Sequence, residues 1–249
     1  MGNDYFAEFE KAMGDIVAIG NDLGKVTEDL LVPSDSPTAM AMTLYARSWS
    51  HFRAFTILYK EGLILEAEMI LRGSIEVAIC LANLEKRGKE FLADLDADLS
   101  DTMVGQLKMM QKFGLGFADQ IANEWANEIA ANGKRLNFEK LAGQTNVGDL
   151  YVFHRVLSGT ASHITGISVT RHLALTDETP EFNRLVAEAA EGDRRRAVYW
   201  MVLTMTALFQ SYATIIESQA ALNAVSGLLL NLQPALEQYA AANGIPIVG

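Results

Sequence analysis

Apolar residues recur at helical spacing along almost the whole chain. Phe6, Phe9, Met13, Ile16 and Val17 fall on one stripe, which predicts a first helix from about Tyr5 to Leu31. The run Pro33-Ser34-Asp35-Ser36-Pro37 breaks it, with Ser36 placed as an N-cap and Pro37 at the first position of the next helix. That second helix runs to Glu61 and is stopped by Gly62. A third helix follows from about Leu63 to Arg87, ending at Gly88. Its Ile64, Leu65, Met69, Ile70, Leu71, Ile75, Val77, Ile79 and Leu81 cover nearly every face, the pattern of a helix in the middle of a structure.

Beyond Gly88 the pattern turns more polar. Residues 89–114 predict an acidic helix broken near Ser100, and residues 117–131 a surface helix. A loop-rich stretch over 132–146 carries one short helix around Phe138–Ala142. Asp149 is the expected cap of a helix reaching about His163. Residues 164–179 read as a frayed end and a long connection, and Pro180 as the start of a short helix closing near Gly192. Asp193 opens the longest helix, expected to pass Ala221, and a last helix spans about 226–242, kinked or interrupted at Pro234. No repeat or linker interrupts the series. The expectation is an all-α, single-domain, multi-helix bundle with long central helices, residues 1–249 forming one unit.

Residues 197–216 contain no charged side chain and are long enough to span a bilayer, but Thr204, Thr206, Gln210, Ser211 and Thr214 dilute the stretch. A buried central helix is expected there, with no membrane association. A chain that is 50% apolar can offset its ordering entropy by burial, which argues against disorder. The net charge of −11 argues against non-specific nucleic-acid binding, which needs cations to displace phosphate counterions. A single cysteine, Cys80, cannot form an internal disulfide and reads as a small buried hydrophobe. The N-terminus shows no export signal, and Phe6 stands where a myristoylation motif needs Ser or Thr. A cytoplasmic protein is expected.

Charges placed inside apolar helices carry the chemistry. Glu68, Arg72 and Glu76 are spaced i, i+4, i+8 on the third helix, a polar seam on an apolar cylinder. Such a seam is either a buried ion-pair ladder or part of a site, since an unpaired buried charge is costly. Arg47 and His51 are one turn apart on the second helix, and His51 lies about as far before Gly62 as Arg72 lies after it. An antiparallel hairpin therefore puts His51 near Arg72 or Glu76, where an imidazole beside a carboxylate suits acid–base work. A third group is Tyr151, His154, Arg155, Ser158, Ser162 and His163, with His154 and His163 expected on opposite sides of the helix. The candidate catalytic residues are His51, Arg72, Glu76 and His163. The candidate binding residues are Arg47, Glu68, Tyr151, Arg155 and Ser158. No local spacing supports a metal site, and no glycine loop or nucleophile elbow calls for a cofactor or an acyl-enzyme. Arg194, Arg195 and Arg196 read as surface partners of Glu188 and Glu191, or as an anion contact.

Three blocks together resemble a bacterial helical family catalogued only as a domain of unknown function. These are His51 with Arg53-Ala54, Leu58 and Gly62; Glu66-Ala67 with Leu71-Arg72 and Glu76; and Tyr151, Arg155, Leu157-Ser158 and His163. The resemblance covers about residues 44–165 and implies a helical fold in which His51, Arg72, Glu76, Ser158 and His163 belong together. It implies no activity. A broader likeness is to the helical HEPN ribonucleases of toxin and antiphage systems, which pair an Arg and a His on one helix. Here seven residues separate Arg155 from His163 and three separate Arg47 from His51, and neither spacing matches that pattern. The leading expectation is a bundle that binds a protein partner or small ligand at a polar inter-helix pocket. The alternative is a HEPN-like, metal-independent ribonuclease. Self-association as a homodimer is expected from the high apolar fraction.

Overall fold

The computed structural model describes residues 5–125, 133–171, 173–175, 180–182 and 190–242. Among the described residues the helices in chain order are α1 (Tyr5–Glu28), α2 (Pro37–Lys60), α3 (Ile64–Arg87), α4 (Lys89–Lys112), α5 (Ala118–Trp125), α6 (Phe138–Gly143), α7 (Gly148–Thr160), α8 (Gly166–Thr170), α9 (Glu191–Ile215) and α10 (Gln219–Ala242). Between α8 and α9, β1 (Leu173–Leu175) and β2 (Pro180–Phe182) form a small antiparallel pair, with Leu173 opposite Phe182.

The chain folds this way because its punctuation is strong early on. Ser36 accepts a hydrogen bond from the Ala39 amide at 3.1 Å, and Pro37 occupies the first turn of α2, where its missing N–H costs nothing. At the other end of α2, Gly62 takes φ +77°. The Leu63 amide then reaches the Leu58 carbonyl at 2.9 Å, closing the helix with a left-handed cap that reverses the chain into α3. Helix α3 packs on α2, α9, α7, α6 and α4, and α9 packs on α3, α1, α10 and α2. These two helices are the centre of the bundle, with Leu71, Ile75, Ile79, Met201, Met205 and Phe209 sealed between the layers. The all-α expectation holds. Among the described residues no helix is long and apolar enough to cross a membrane.

Several boundaries differ from the sequence reading. Helix α4 is not broken at Ser100, whose hydroxyl instead donates back to the Asp96 carbonyl at 3.0 Å and leaves the helix intact. Asp149 is not the cap of α7. The helix begins at Gly148 after Val147, with no side-chain cap, and Asp149 lies in its first turn. It ends at Thr160 rather than His163, because the Thr165 hydroxyl draws the chain back to the Gly159 carbonyl. The stretch read as a frayed connection contains α8, held by a capping box between Thr165 and Ser168, and then β1; residues 172 and 176–179 of that expectation lie outside the described residues. Pro180 opens a strand instead of a helix, at the end of a two-stranded ribbon where a missing N–H is tolerated. Helix α9 starts at Glu191 and stops at Ile215, short of Ala221, and α10 begins at Gln219 rather than near 226 and runs through Pro234. Residues 126–131 of the expected surface helix, and 183–189 of the expected helix after Pro180, lie outside the described residues.

Candidate polar site at the α2–α3–α7 junction

Helix α7 presents Leu150 and Leu157 to the core, followed by Ala161 just past its end, and His154 sits on the same stripe, with the residue only 7% exposed. A histidine buried there must be given a partner, and α3 supplies one. The Nε2 of His154 lies 2.9 Å from Oε1 of Glu76. A carboxylate can only accept, so Nε2 carries the proton and the ring is fixed in one tautomer. The opposite nitrogen, Nδ1, is buried and has no partner. Phe138 and Tyr151 stack near-parallel to the imidazole, with centroids at 5.8 and 5.7 Å, and keep the ring in place.

Glu76 also receives Nη2 of Arg72, one turn earlier on α3, at 2.9 Å. Burial works to raise the Glu76 carboxyl, but the His154 hydrogen bond together with Arg72, His154 and Arg47 outweighs it and holds the group below its ordinary range. Arg72 donates from Nε to the Ser158 hydroxyl at 3.0 Å, and that hydroxyl donates in turn to the His154 carbonyl at 2.8 Å. The side chains of Arg72 and Glu76 each keep 28% of their surface exposed, so solvent reaches this network.

His51 enters from α2. Its ring lies against Gly73, whose missing side chain makes the room: a Cβ there would stand 3.1 Å from Cε1 of His51. Gly73 is as many residues after Gly62 as His51 is before it, so the hairpin symmetry resolves one residue past Arg72. Nδ1 of His51 is also buried without a partner. Burial lowers the imidazole pKa, Arg47 lowers it further, and Glu76 acts the other way.

The remaining candidates separate. Arg47 is exposed on α2 and acts on His51 and Glu76 through charge. Tyr151 stacks on His154 and points its hydroxyl at Glu139, 3.3 Å away. Arg155 is exposed and stands outside the hydrogen-bonded cluster. His163 does not join the cluster: it is exposed, past the end of α7, and its backbone carbonyl accepts from Ser168. The seam of Glu68, Arg72 and Glu76 is also not one unit. Glu68 is fully buried and is claimed by Arg171 at 2.6 Å and Arg196 at 2.8 Å, a separate cluster joined by Asp193. Of the triple arginine, Arg196 thus points inward, Arg195 pairs with Glu191 at 2.9 Å, and Arg194 lies over the Tyr59 ring; Glu188 is outside the described residues. Cys80 is buried, its thiol pushed up to about 12 by desolvation. Among the described residues no three His, Cys, Asp or Glu side chains are grouped as metal ligands would be.

Residues 38–181 match the sequence profile of a "Family of unknown function (DUF5677)". The chain belongs to that family. The matched stretch is more than half of this DUF5677 protein and carries Arg47, His51, Arg72, Glu76, His154 and Ser158 together, whereas Asp193 and Arg196 of the second cluster lie beyond it. No curated protein and no solved structure matches the chain. The family carries no assigned activity, in keeping with the resemblance drawn from the three sequence blocks, and it lends nothing to the likeness to HEPN ribonucleases.

Proposed function

We propose that this DUF5677 protein is a binding module that holds a small anionic ligand, carrying an N–H or O–H group, at the α2–α3–α7 junction. The observation that carries the reading is the unpaired Nδ1 of His154. A buried polar atom without a partner costs about 1–3 kcal/mol, and folded proteins keep few of them without a use. With Nε2 donating to Glu76, Nδ1 is the nitrogen left over, an acceptor in that tautomer. A ligand N–H or O–H answers that acceptor. Arg47 and Arg72 outnumber Glu76 among the charges there, which favours a negative group on the same ligand. Binding rather than catalysis is favoured because Ser158 is engaged by Arg72 and by a backbone carbonyl, not by an imidazole nitrogen, so no nucleophile–base pair exists among these side chains.

The alternative, metal-independent cleavage of RNA, draws on the carboxylate-held imidazole beside Arg72, an acid–base group next to an anion-stabilising one. One set of purified proteins separates the two. A panel of amino acids, small carboxylic acids and phosphate monoesters is screened by thermal unfolding, and the same proteins are incubated with total RNA. The binding reading expects at least one compound to raise the melting temperature of the wild type and not of His51→Ala or His154→Phe. It fails if no compound shifts the wild type or if the variants shift equally. RNA cleavage abolished by Glu76→Gln would install the ribonuclease reading in its place.

A further inference from the structure

Helix α4 leaves the bundle. Segment 133–136 buttresses its middle, with the Lys134 amide on the Ala97 carbonyl at 3.0 Å and Arg135 on Asp101 at 3.0 Å. Met103 is its last buried residue. Past that point the helix continues to Lys112, turns at Gly114 (φ +67°), where the Leu115 amide reaches the Met110 carbonyl, and returns as α5. The tip of this arm exposes Phe113 (70%), Met109 (54%), Phe117 (50%) and Leu115 (42%) within nine residues. Four large apolar side chains gathered on a protruding hairpin form the kind of patch that a soluble chain covers with something.

We propose that a second copy of this chain covers it, the two arms pairing around a two-fold axis. Two features on the patch are self-complementary, as an isologous contact requires. The first is shape. A shallow depression of about 380 Å³, wide open to solvent, is lined by Gln106, Met109, Met110, Phe113 and Leu115, and Phe117 stands exposed beside it without lining it. A two-fold axis seats each Phe117 in the other copy's concavity. The second is charge. Lys108 and Lys112, one turn apart on α4, are exposed and make no ion pair among the described residues. Helix α5 carries exposed Asp119 and Glu124, of which Glu124 accepts a bond from Gln120. Crossing arms set the lysines of each copy against the acids of the other, twice per dimer.

Sedimentation equilibrium of the full chain tests this directly. The wild type is expected to dimerise, and Phe113→Glu, at a position too exposed to disturb folding, is expected to weaken the dimer by more than about tenfold. The double variant Lys108→Glu/Lys112→Glu loses self-association, as does Asp119→Lys/Glu124→Lys. Mixing the two restores a heterodimer, because every cross-arm pair is then again of opposite sign. A wild type monomeric up to about 100 µM overturns the proposal, since a contact that weak falls outside stable homodimers. So does a dimer that Phe113→Glu leaves unchanged, or charge variants that fail to associate when mixed.

Discussion

His51 and Glu76 respond to pH in the same direction, by different routes. Burial, reinforced by Arg47, lowers the His51 pKa below its ordinary 6.5, with Arg72 and Glu76 of α3 and His154 of α7 as the other charged or titratable groups around the junction. The unfolded chain therefore takes up a proton that the folded chain refuses, and stability falls as pH drops through and below 6.5. Glu76 is held below its ordinary 4.5, so its contribution is present above that value and disappears as pH falls through the folded pKa. Melting temperatures between about pH 7.5 and about pH 5.5 should decline, and His51→Gln should flatten the decline by removing the group that refuses the proton. An identical slope in the variant would remove His51 as its cause. At this scale the sequence was half readable. His51 opposite the start of the Arg72–Glu76 turn followed from counting residues on each side of Gly62. His154, not among the candidate catalytic residues, is marked by its place on the Leu150–Leu157–Ala161 stripe as the histidine that has to be buried. His163 lay on an extrapolated last turn that Thr165 and Gly159 prevent from forming.

Glu68 ties elements together. Its carboxylate, without any exposed surface, accepts from Arg171 just after α8 and from Arg196 in the first turns of α9, and Asp193 bridges the same two arginines. Arg171 and the start of α9 are thereby anchored to the central helix by charge. Glu68→Ala leaves two guanidinium groups facing a buried gap and should cost about 3–5 kcal/mol, read by denaturant unfolding. A loss below about 1 kcal/mol would mean the pair is effectively solvated and contributes little. The elements best foreseen are those whose ends carry their own signals: Ser36-Pro37, Gly62 and Gly88 set α2 and α3 within a residue or two. The α9–α10 boundary was missed for a physical reason. Its left-handed cap residue is Glu217 (φ 55°), with the Ser218 amide on the Ala213 carbonyl, the geometry a glycine normally announces. Pro180 does not distinguish the two outcomes by itself, because proline opens a helix and an edge strand equally well.

Across the whole molecule, α3 is the axis on which both polar clusters are hung. Its N-terminal half sends Glu68 to α9 and the α8 segment, and its middle sends Arg72 and Glu76 to α7. At its C-terminal end a more exposed group follows, Arg87 paired with Glu90 and Asp94 of α4, while the faces that α3 turns to α9 are closed by apolar side chains such as Leu71, Ile75 and Ile79. The architecture was legible because long apolar periodicities leave few alternatives to a helical bundle. The division of the Glu68–Arg72–Glu76 seam was not, because it depends on Arg171 and Arg196 arriving from more than a hundred residues away. Long-range ¹⁵N–¹H correlation spectra of the imidazoles, recorded near neutral pH on the wild type and on Glu76→Gln, read the site most directly. The His154 ring should appear as a single Nε2–H tautomer with an unprotonated Nδ1, and Glu76→Gln should shift it. A wild-type ring that averages both tautomers, or one indifferent to the substitution, would mean that Glu76 does not hold it and that no preformed acceptor awaits a ligand.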